Sequence, residues 1–257
     1  MLFFEPLRLR GIQILIVILF CTGLSIAQQK ENKFLNFSDL HFDPFYDSTI
    51  VTELINSDHT EWESIFLNSK IRKVNLYRSD SNFPLFKSSM EEMSLRIPDP
   101  DFIIITGDFM GHDFSSEYFK YTGINNIDSL YSFKAKAIKF ITSYILKFYP
   151  NTLIFPTVGN NDDFCGNYKI TPEGEFLNLL SDIWEPLVNV EGSNNENFTE
   201  DFSKGGYCML NFPGANNFKM ILLNTIYFSP KYINQCGDSL NDPGEEELVW
   251  LDSVLQQ

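Results

Sequence analysis

Histidine and cysteine are scarce in this chain of 257 residues, with three of the first and four of the second. So few thiols exclude a small scaffold whose fold is carried by disulfides instead of a core. Positive charge is also thin: 19 Lys and Arg stand against 34 Asp and Glu, for a formal net charge of −15. That balance argues against a broad polyanion-binding face, and no nucleic-acid-binding surface is apparent. It leaves room for an anionic substrate held through bound cations, which reset the local field. No long hydrophobic run is present. Ile12–Phe20 is apolar apart from Gln13, too short for a bilayer-spanning helix of about 20 residues. Internal repeats, heptads and low-complexity tracts are missing as well. What the chain does have is 44% hydrophobic residues, 25 of them Phe, enough for one well-packed core.

The N-terminus reads as a targeting segment. Arg8 and Arg10 precede the apolar run, and Ser25-Ile26-Ala27 offers small residues where a signal peptidase cuts. Residues 1–27 are therefore read as a cleaved signal peptide, with an uncleaved signal anchor as the alternative. The rest, 28–257, is read as one domain, secreted or delivered to a lysosomal or vacuolar lumen. No permanent membrane span is expected once the signal is cleaved. Cys165, Cys208 and Cys236 remain in that domain. Cys165 with Cys208 is the expected pair, and three buried thiols are the alternative. Two N-glycosylation sequons occur. Asn36-Phe37-Ser38 lies in what reads as a buried strand and is taken as a chance match. Asn197-Phe198-Thr199 lies in a polar loop and is taken as usable in a secreted protein.

Strands and helices alternate along the chain, which predicts an α/β sandwich. Phe34–Phe37, Phe102–Thr106 and Leu153–Val158 read as strands, the second being a continuous apolar run typical of burial on both faces. Helices are predicted over 84–96, over 128–148 with Pro150 as the stop, and over 173–188, the last kinked or ended by Pro186. Residues 43–83 show only fragments of helical pattern. Tyr207–Asn211 and Lys219–Asn224 read as a strand pair around a Pro213–Asn216 turn. A final helix starts at Asp242-Pro243, with Asp242 as N-cap and Glu245 completing a capping box. Leu248, Leu251, Val254 and Leu255 form its predicted apolar face.

Each of the three main strands runs into a short polar segment: Asp39-Leu40-His41, Gly107-Asp108 and Gly159-Asn160-Asn161-Asp162. Strand ends are where α/β folds place their sites. The two glycines let the backbone turn just before a liganding side chain. Carboxylate, imidazole and amide oxygen suit a pair of divalent ions such as Zn, Mn or Fe. An Asp on the second strand could bridge ions roughly 3.5–4 Å apart, the spacing of two-metal hydrolases. Each fragment alone is a common turn; the three together, in order and each at a strand end, form a specific signal.

The segments Asp39-Leu40-His41-Phe42-Asp43-Pro44-Phe45-Tyr46, Gly107-Asp108-Phe109-Met110-Gly111-His112-Asp113 and Gly159-Asn160-Asn161-Asp162 resemble the calcineurin-like metallophosphoesterases. Within them the chain is most similar to the acid sphingomyelinase-like phosphodiesterases and the related endopolyphosphatases. Lys204-Gly205-Gly206-Tyr207, Leu223-Asn224-Thr225 and Asp242-Pro243 through Trp250-Leu251 extend the likeness, which runs from about residue 33 to the C-terminus.

The resemblance implies a four-layer α/β/β/α sandwich and a two-metal site, zinc first and manganese or iron as alternatives. Asp39 and His41 would bind the first ion, Asp108 would bridge both, and Asn160 would bind the second. His112 matches a histidine that contacts the phosphate or the leaving group. His59 has no motif around it and is read as incidental. The implied reaction is hydrolysis of a phosphodiester by a metal-bridging hydroxide. The implied substrate is a small phosphodiester, a phospholipid or polyphosphate.

Two departures stand out. The sphingomyelinase pattern has His after the liganding Asn, where this chain has Asn161. An amide is no general acid near neutral pH, but it can hold phosphoryl oxygens, and Gly-Asn-Asn-Asp resembles the endopolyphosphatases. The family also closes its site with later Gly-His and Gly-His-x-His segments, and no histidine follows His112 here. The domain is therefore expected to be incomplete at its C-terminus, the alternative being a short form unable to hold two metals. Sphingomyelinases proper add a six-cysteine lipid-presenting domain, and no such segment precedes Phe34; hydrolysis of membrane lipids by this chain alone is the less expected activity.

Overall fold

Phe102–Thr106 (β2) is the centre of a parallel sheet, with Phe34–Phe37 (β1) on one side and Ile154–Thr157 (β3) on the other. The computed structural model describes residues 32–213, 218–234 and 242–256. The register pairs Phe37 with Ile105 and Thr106 with Thr157, so the strands end together and their loops share one edge. β-branched Ile103 and Ile105 are fully buried in the central strand. Pro156, which cannot donate to a ladder, sits in β3 at the end of this sheet. β1 is less buried than its sequence suggests. It is an edge strand with Phe34 and Asn36 facing solvent, so the Asn36 sequon does not lie in a buried strand.

The helices follow the apolar spacing with small shifts. Phe83–Arg96 is capped by Asn82, whose side chain accepts from Leu85 N–H at 3.1 Å. Ile127–Phe148 is capped by Asn126 and buries Leu130, Phe133, Ala137, Ile141 and Ile145. Glu175–Val188 runs two residues past Pro186, so that proline does not end it. Short helices also form at Val51–Asn56, Trp62–Asn68, Phe114–Thr122 and Phe198–Gly205. The first two lie where the sequence shows only fragments of pattern. They are held by Trp62, fully buried, and by Phe66, not by a long amphipathic stripe. In chain order the helices are α1 (51–56), α2 (62–68), α3 (83–96), α4 (114–122), α5 (127–148), α6 (175–188), α7 (198–205) and α8 (243–255).

Cys208–Asn211 (β4) and Lys219–Leu222 (β5) pair antiparallel, as the sequence predicts, and β5 packs near β3. Their connecting turn lies partly outside the described residues. A parallel sheet, an antiparallel pair and flanking helices make up the α/β sandwich. The last helix, Pro243–Leu255 (α8), docks differently from its predicted face. Pro243, Gly244, Glu247 and Val254 turn inward, and Trp250 packs on Tyr207, while Leu248 and Leu255 are exposed. That inward stripe meets the 225–228 turn, which the helix's own periodicity could not reveal. Asp242 caps it through Gly244 N–H at 2.9 Å, without the Glu245 box.

Cys208 is a free, buried thiol, which overturns the expected Cys165–Cys208 pair. Cys165 is disulfide-bonded, and Cys236 lies outside the described residues, as does the signal segment. β4 points Cys208 inward, into the core.

Phenylalanine is abundant because the core is largely aromatic. The Phe42 ring lies 5.5–5.6 Å from those of Phe66, Phe86 and Phe140. Phe109 packs on Trp184 at 5.0 Å. Each of these anchors directly follows a ligand-type residue, His41 or Asp108. Truncating one to Ala would cost roughly 3–5 kcal/mol and loosen the residue before it.

Candidate metal centre

The loops after β1 and β2 stay hydrogen-bonded beyond the strands themselves. Asp39 N–H donates to Gly107 O at 3.1 Å, His41 N–H to Asp108 O at 2.9 Å and Phe42 N–H to Phe109 O at 2.9 Å. To keep that ladder while presenting side chains outward, Asp39, His41 and Asp108 take φ values of 54°, 39° and 54°. Left-handed backbone at non-glycine residues costs on the order of 1–3 kcal/mol each and concentrates at functional sites. Here it falls on three of the four ligand residues expected from the sequence.

Those three side chains converge. Ligand atoms of Asp39, His41 and Asp108 all lie within 4.8 Å of one another. His41 Nε2 is 3.6 Å from Asp39 Oδ1 and 3.6 Å from Asp108 Oδ2. His41 Nδ1 is 3.2 Å from Met110 O. A carbonyl can only accept, so Nδ1 is the donor in this contact and Nε2 is the ring nitrogen that faces the carboxylates. Ser38 Oγ donates to Asp39 Oδ2, orienting the most exposed of the three side chains. Two carboxylates and an imidazole oriented by a carbonyl fit a divalent ion.

The β3 loop closes on this cluster through glycine and a buried carboxylate. A Cβ on Gly159 would stand 1.9 Å from Asp108 N, so only glycine permits this approach. Gly107, at φ +85°, serves the turn itself. Asp162, fully buried, accepts from Phe109 N–H (2.7 Å), Met110 N–H (3.0 Å) and Gly159 N–H (2.8 Å). One side chain thus ties the Asp108 loop to the Asn160 loop. Burial and the nearby Asp108 charge push its carboxyl up to about 7, against the pull of those N–H donors. Beneath it, buried Lys134 donates from Nζ to Asp163 O (2.8 Å) and Phe164 O (3.3 Å), and burial brings its ammonium down to about 8. Neither residue stands out as functional in the sequence. A charged residue on the apolar face of α5 was the available signal for Lys134.

Asn160 lies in this loop. Its Nδ2 donates to Asn167 Oδ1 at 2.7 Å, which assigns the amide so that its own Oδ1 is the acceptor left for a ligand role. Asn161 meets Asp108 through its backbone N–H, 3.0 Å from Oδ1, and its side chain is largely buried. His112 stacks on His41, centroids 4.2 Å apart and rings 17° from parallel. Asp80 grips it twice: Oδ2 accepts from His112 N–H at 2.6 Å and Oδ1 lies 2.7 Å from Nδ1. That hydrogen bond raises the His112 imidazole above its ordinary value, against partial desolvation. Asp80 arrives because Ser81 pairs with the His41–Asp43 backbone (Ser81 N–H to His41 O, 2.8 Å). No sequence pattern marked it. His59 stands apart, paired with Asp58 in a 3-10 turn.

A calcineurin-like phosphoesterase family model matches residues 32–251. The chain belongs to the calcineurin-like phosphoesterases. Members of this family use a two-metal centre, and among the described residues Asp39–His41–Asp108 and His41–Asp80–His112 are the candidate ligand groups for it. Among curated relatives, sphingomyelinase phosphodiesterase C of Dictyostelium discoideum is 27% identical over 234 residues, 88% of this chain and 46% of the relative. Acid sphingomyelinase-like phosphodiesterase 3b of Mus musculus is 27% identical over 93% of this chain and 47% of the relative. Endopolyphosphatase of Neurospora crassa is 25% identical over 88% of this chain and 29% of the relative. This phosphoesterase chain spans about half the length, or less, of these relatives.

Proposed function

We propose that this chain carries metal-ligand residues of a metal-dependent phosphodiesterase of the acid sphingomyelinase-like type. The observation that carries the reading is the convergence of Asp39, His41 and Asp108, with His41 Nε2 directed at both carboxylates. Asp39 and His41 would hold one ion, Asp108 both, and Asn160 the second; zinc suits this mixed set, with manganese or iron as alternatives. Bound divalent ions supply an activated water and neutralise charge on the phosphoryl group.

The chain's own residues do the rest. Met110 O and Ser38 Oγ fix the ligands, so little reorganisation accompanies substrate entry. Asp80 accepts a hydrogen bond from His112 Nδ1, which leaves Nε2 to meet a phosphoryl or leaving-group oxygen. Asn161, beside Asp108, would steady the phosphoryl oxygens in place of a histidine. That same residue favours a second reading: an amide at this position fits cleavage of phosphoanhydride bonds in polyphosphate, the substrate named for the endopolyphosphatase relative.

Delivery to a secretory or lysosomal lumen belongs to the same reading. It is supported by the N-terminal pattern and by an exposed Asn197 sequon at the start of α7. Among the described residues no helix is long and apolar enough to cross a membrane.

The test is metal content and turnover. For protein that also carries the later Gly-His and Gly-His-x-His segments, two ions per chain and hydrolysis of bis(p-nitrophenyl) phosphate are expected, and Asp108→Ala should abolish both. A metal-free, inactive full-length product would overturn the reading. Sphingomyelin and polyphosphate as competing substrates distinguish the two versions.

A further inference from the structure

The segment from Lys70 to Ser79 does not fit the rest of the surface. In a chain with 34 acidic residues it contains none, and it holds four of the 19 basic ones: Lys70, Arg72, Lys73 and Arg78. All four are exposed, and none is in an ion pair among the described residues. Between them stand Val74, Leu76 and Tyr77, with relative exposures of 55%, 81% and 90%. Arg78 lies over the Tyr77 ring, 5.5 Å from its centroid.

The apolar apex is built. Asn75 Nδ2 donates to Asp80 O at 2.6 Å and to Ser79 O at 3.2 Å, and Asn75 Oδ1 accepts from Asn82 N–H at 3.2 Å. Asn82 Nδ2 donates to Lys73 O at 3.0 Å, and Ser79 N–H closes on Leu76 O at 3.2 Å. Arg78 takes a left-handed φ of 70° to complete the turn. Two asparagine side chains and a strained residue thus hold a Leu-Tyr pair out in water, where neither gains from burial.

We propose that this loop docks on the interfacial region of an anionic lipid bilayer. An exposed aliphatic and aromatic pair, flanked along the chain by exposed cationic residues with Arg78 lying over Tyr77, matches the layers of such a surface. Leu76 and Val74 enter the acyl boundary, Tyr77 sits at headgroup depth, and the Lys and Arg stems lie along it with their charges among phosphates. Three apolar side chains are too few for a stable protein interface, which takes about 20–30 residues a side. They are enough to anchor a loop in a bilayer when electrostatics assist. The foot of the loop is Asp80, whose carboxylate holds His112, so docking sets the rim of the candidate metal centre at the membrane surface. The docking does not depend on the phosphodiesterase reading, and its readout is binding alone.

The experiment is co-sedimentation of the full chain with vesicles of phosphatidylcholine and of phosphatidylcholine mixed with phosphatidylserine, at low and high salt. Binding to the mixed vesicles, reversed by salt, is expected. Arg72→Gln, Lys73→Gln and Arg78→Gln should each weaken it roughly fivefold, equivalent to ~1 kcal/mol per charge near an anionic surface. Leu76→Ser with Tyr77→Ser should weaken it at least as much while leaving the circular dichroism spectrum unchanged, since both side chains are exposed. Equal sedimentation with both vesicle types, or binding unmoved by either set of variants, would overturn the proposal. So would self-association in the ultracentrifuge that the Leu76 and Tyr77 variants abolish without any vesicle binding, which assigns the loop to a second copy of the chain.

Discussion

Asp80 and His112, 32 positions apart, form a two-point contact in which one carboxylate takes both the backbone N–H and the Nδ1 of the histidine. The imidazole is thereby held flat against His41. On the proposed phosphodiesterase reading Asp80 would be a positioning residue. Asp80→Ala is expected to lower kcat on bis(p-nitrophenyl) phosphate by about 10–100-fold, the scale of a misplaced catalytic group, with metal content unchanged. Asp80→Asn, which keeps one acceptor, should recover part of the loss. A fall in bound metal that matches the fall in kcat would instead assign Asp80 to the metal centre.

Asp162 accepts three backbone N–H groups and touches nothing that reacts, so its removal should act through geometry. Asp162→Ala leaves Phe109, Met110 and Gly159 N–H groups buried without an acceptor, at a cost on the order of 1–3 kcal/mol for each unpaired group. A lower melting temperature and weaker metal binding are expected together. Asp162→Asn keeps one carbonyl oxygen and should fall between the two. Retention of full metal affinity in a destabilised Asp162→Ala would show the two loops to be independent.

Glu247 gives a pH dependence that can be read without touching the metal centre. Its Oε1 accepts from Asn224 N–H at 2.7 Å, while Oε2 is buried without a partner. Burial pushes its carboxyl from 4.5 up to about 7. Between those values the folded state binds more protons than the unfolded state, so this group's contribution is full at low pH and is lost as pH rises through 7. Glu247→Gln, a neutral isostere, should leave stability unchanged near pH 4.5 and raise it by roughly 2 kcal/mol at pH 8. Thermal unfolding of both proteins at the two pH values checks the sign. An equal shift at both would refute it.

Cys208 is a buried free thiol, raised above its ordinary value by burial. Alkylation of the native protein should spare it, and alkylation after denaturation without reductant should label it. Cys165 should be labelled only after reduction. Peptide mapping of the two samples decides this, and a Cys165–Cys208 peptide would overturn the assignment.

The strands, the long helices and the polar segments at the strand ends are legible in the sequence alone. Those features depend on short-range pattern: apolar runs, helical spacing, caps, and a polar residue after a glycine. The convergence of Asp39, His41 and Asp108 follows from one further fact, that parallel strands in register end on the same edge. Asp80, Asp162 and Lys134 were left to the tertiary structure, because each acts on backbone that lies far away along the chain. Asp162 looked like one more turn residue, Asp80 like part of an irregular stretch, and Lys134 like a misplaced charge in α5. The inward face of α8 and the free state of Cys208 were decided the same way. A helix's spacing says which residues share a side, and only the docked partner says which side is buried. Asp39, His41, Asp108 and Asn160 could be read from neighbouring letters, whereas what holds them in place is a set of long-range hydrogen bonds that folding alone brings together.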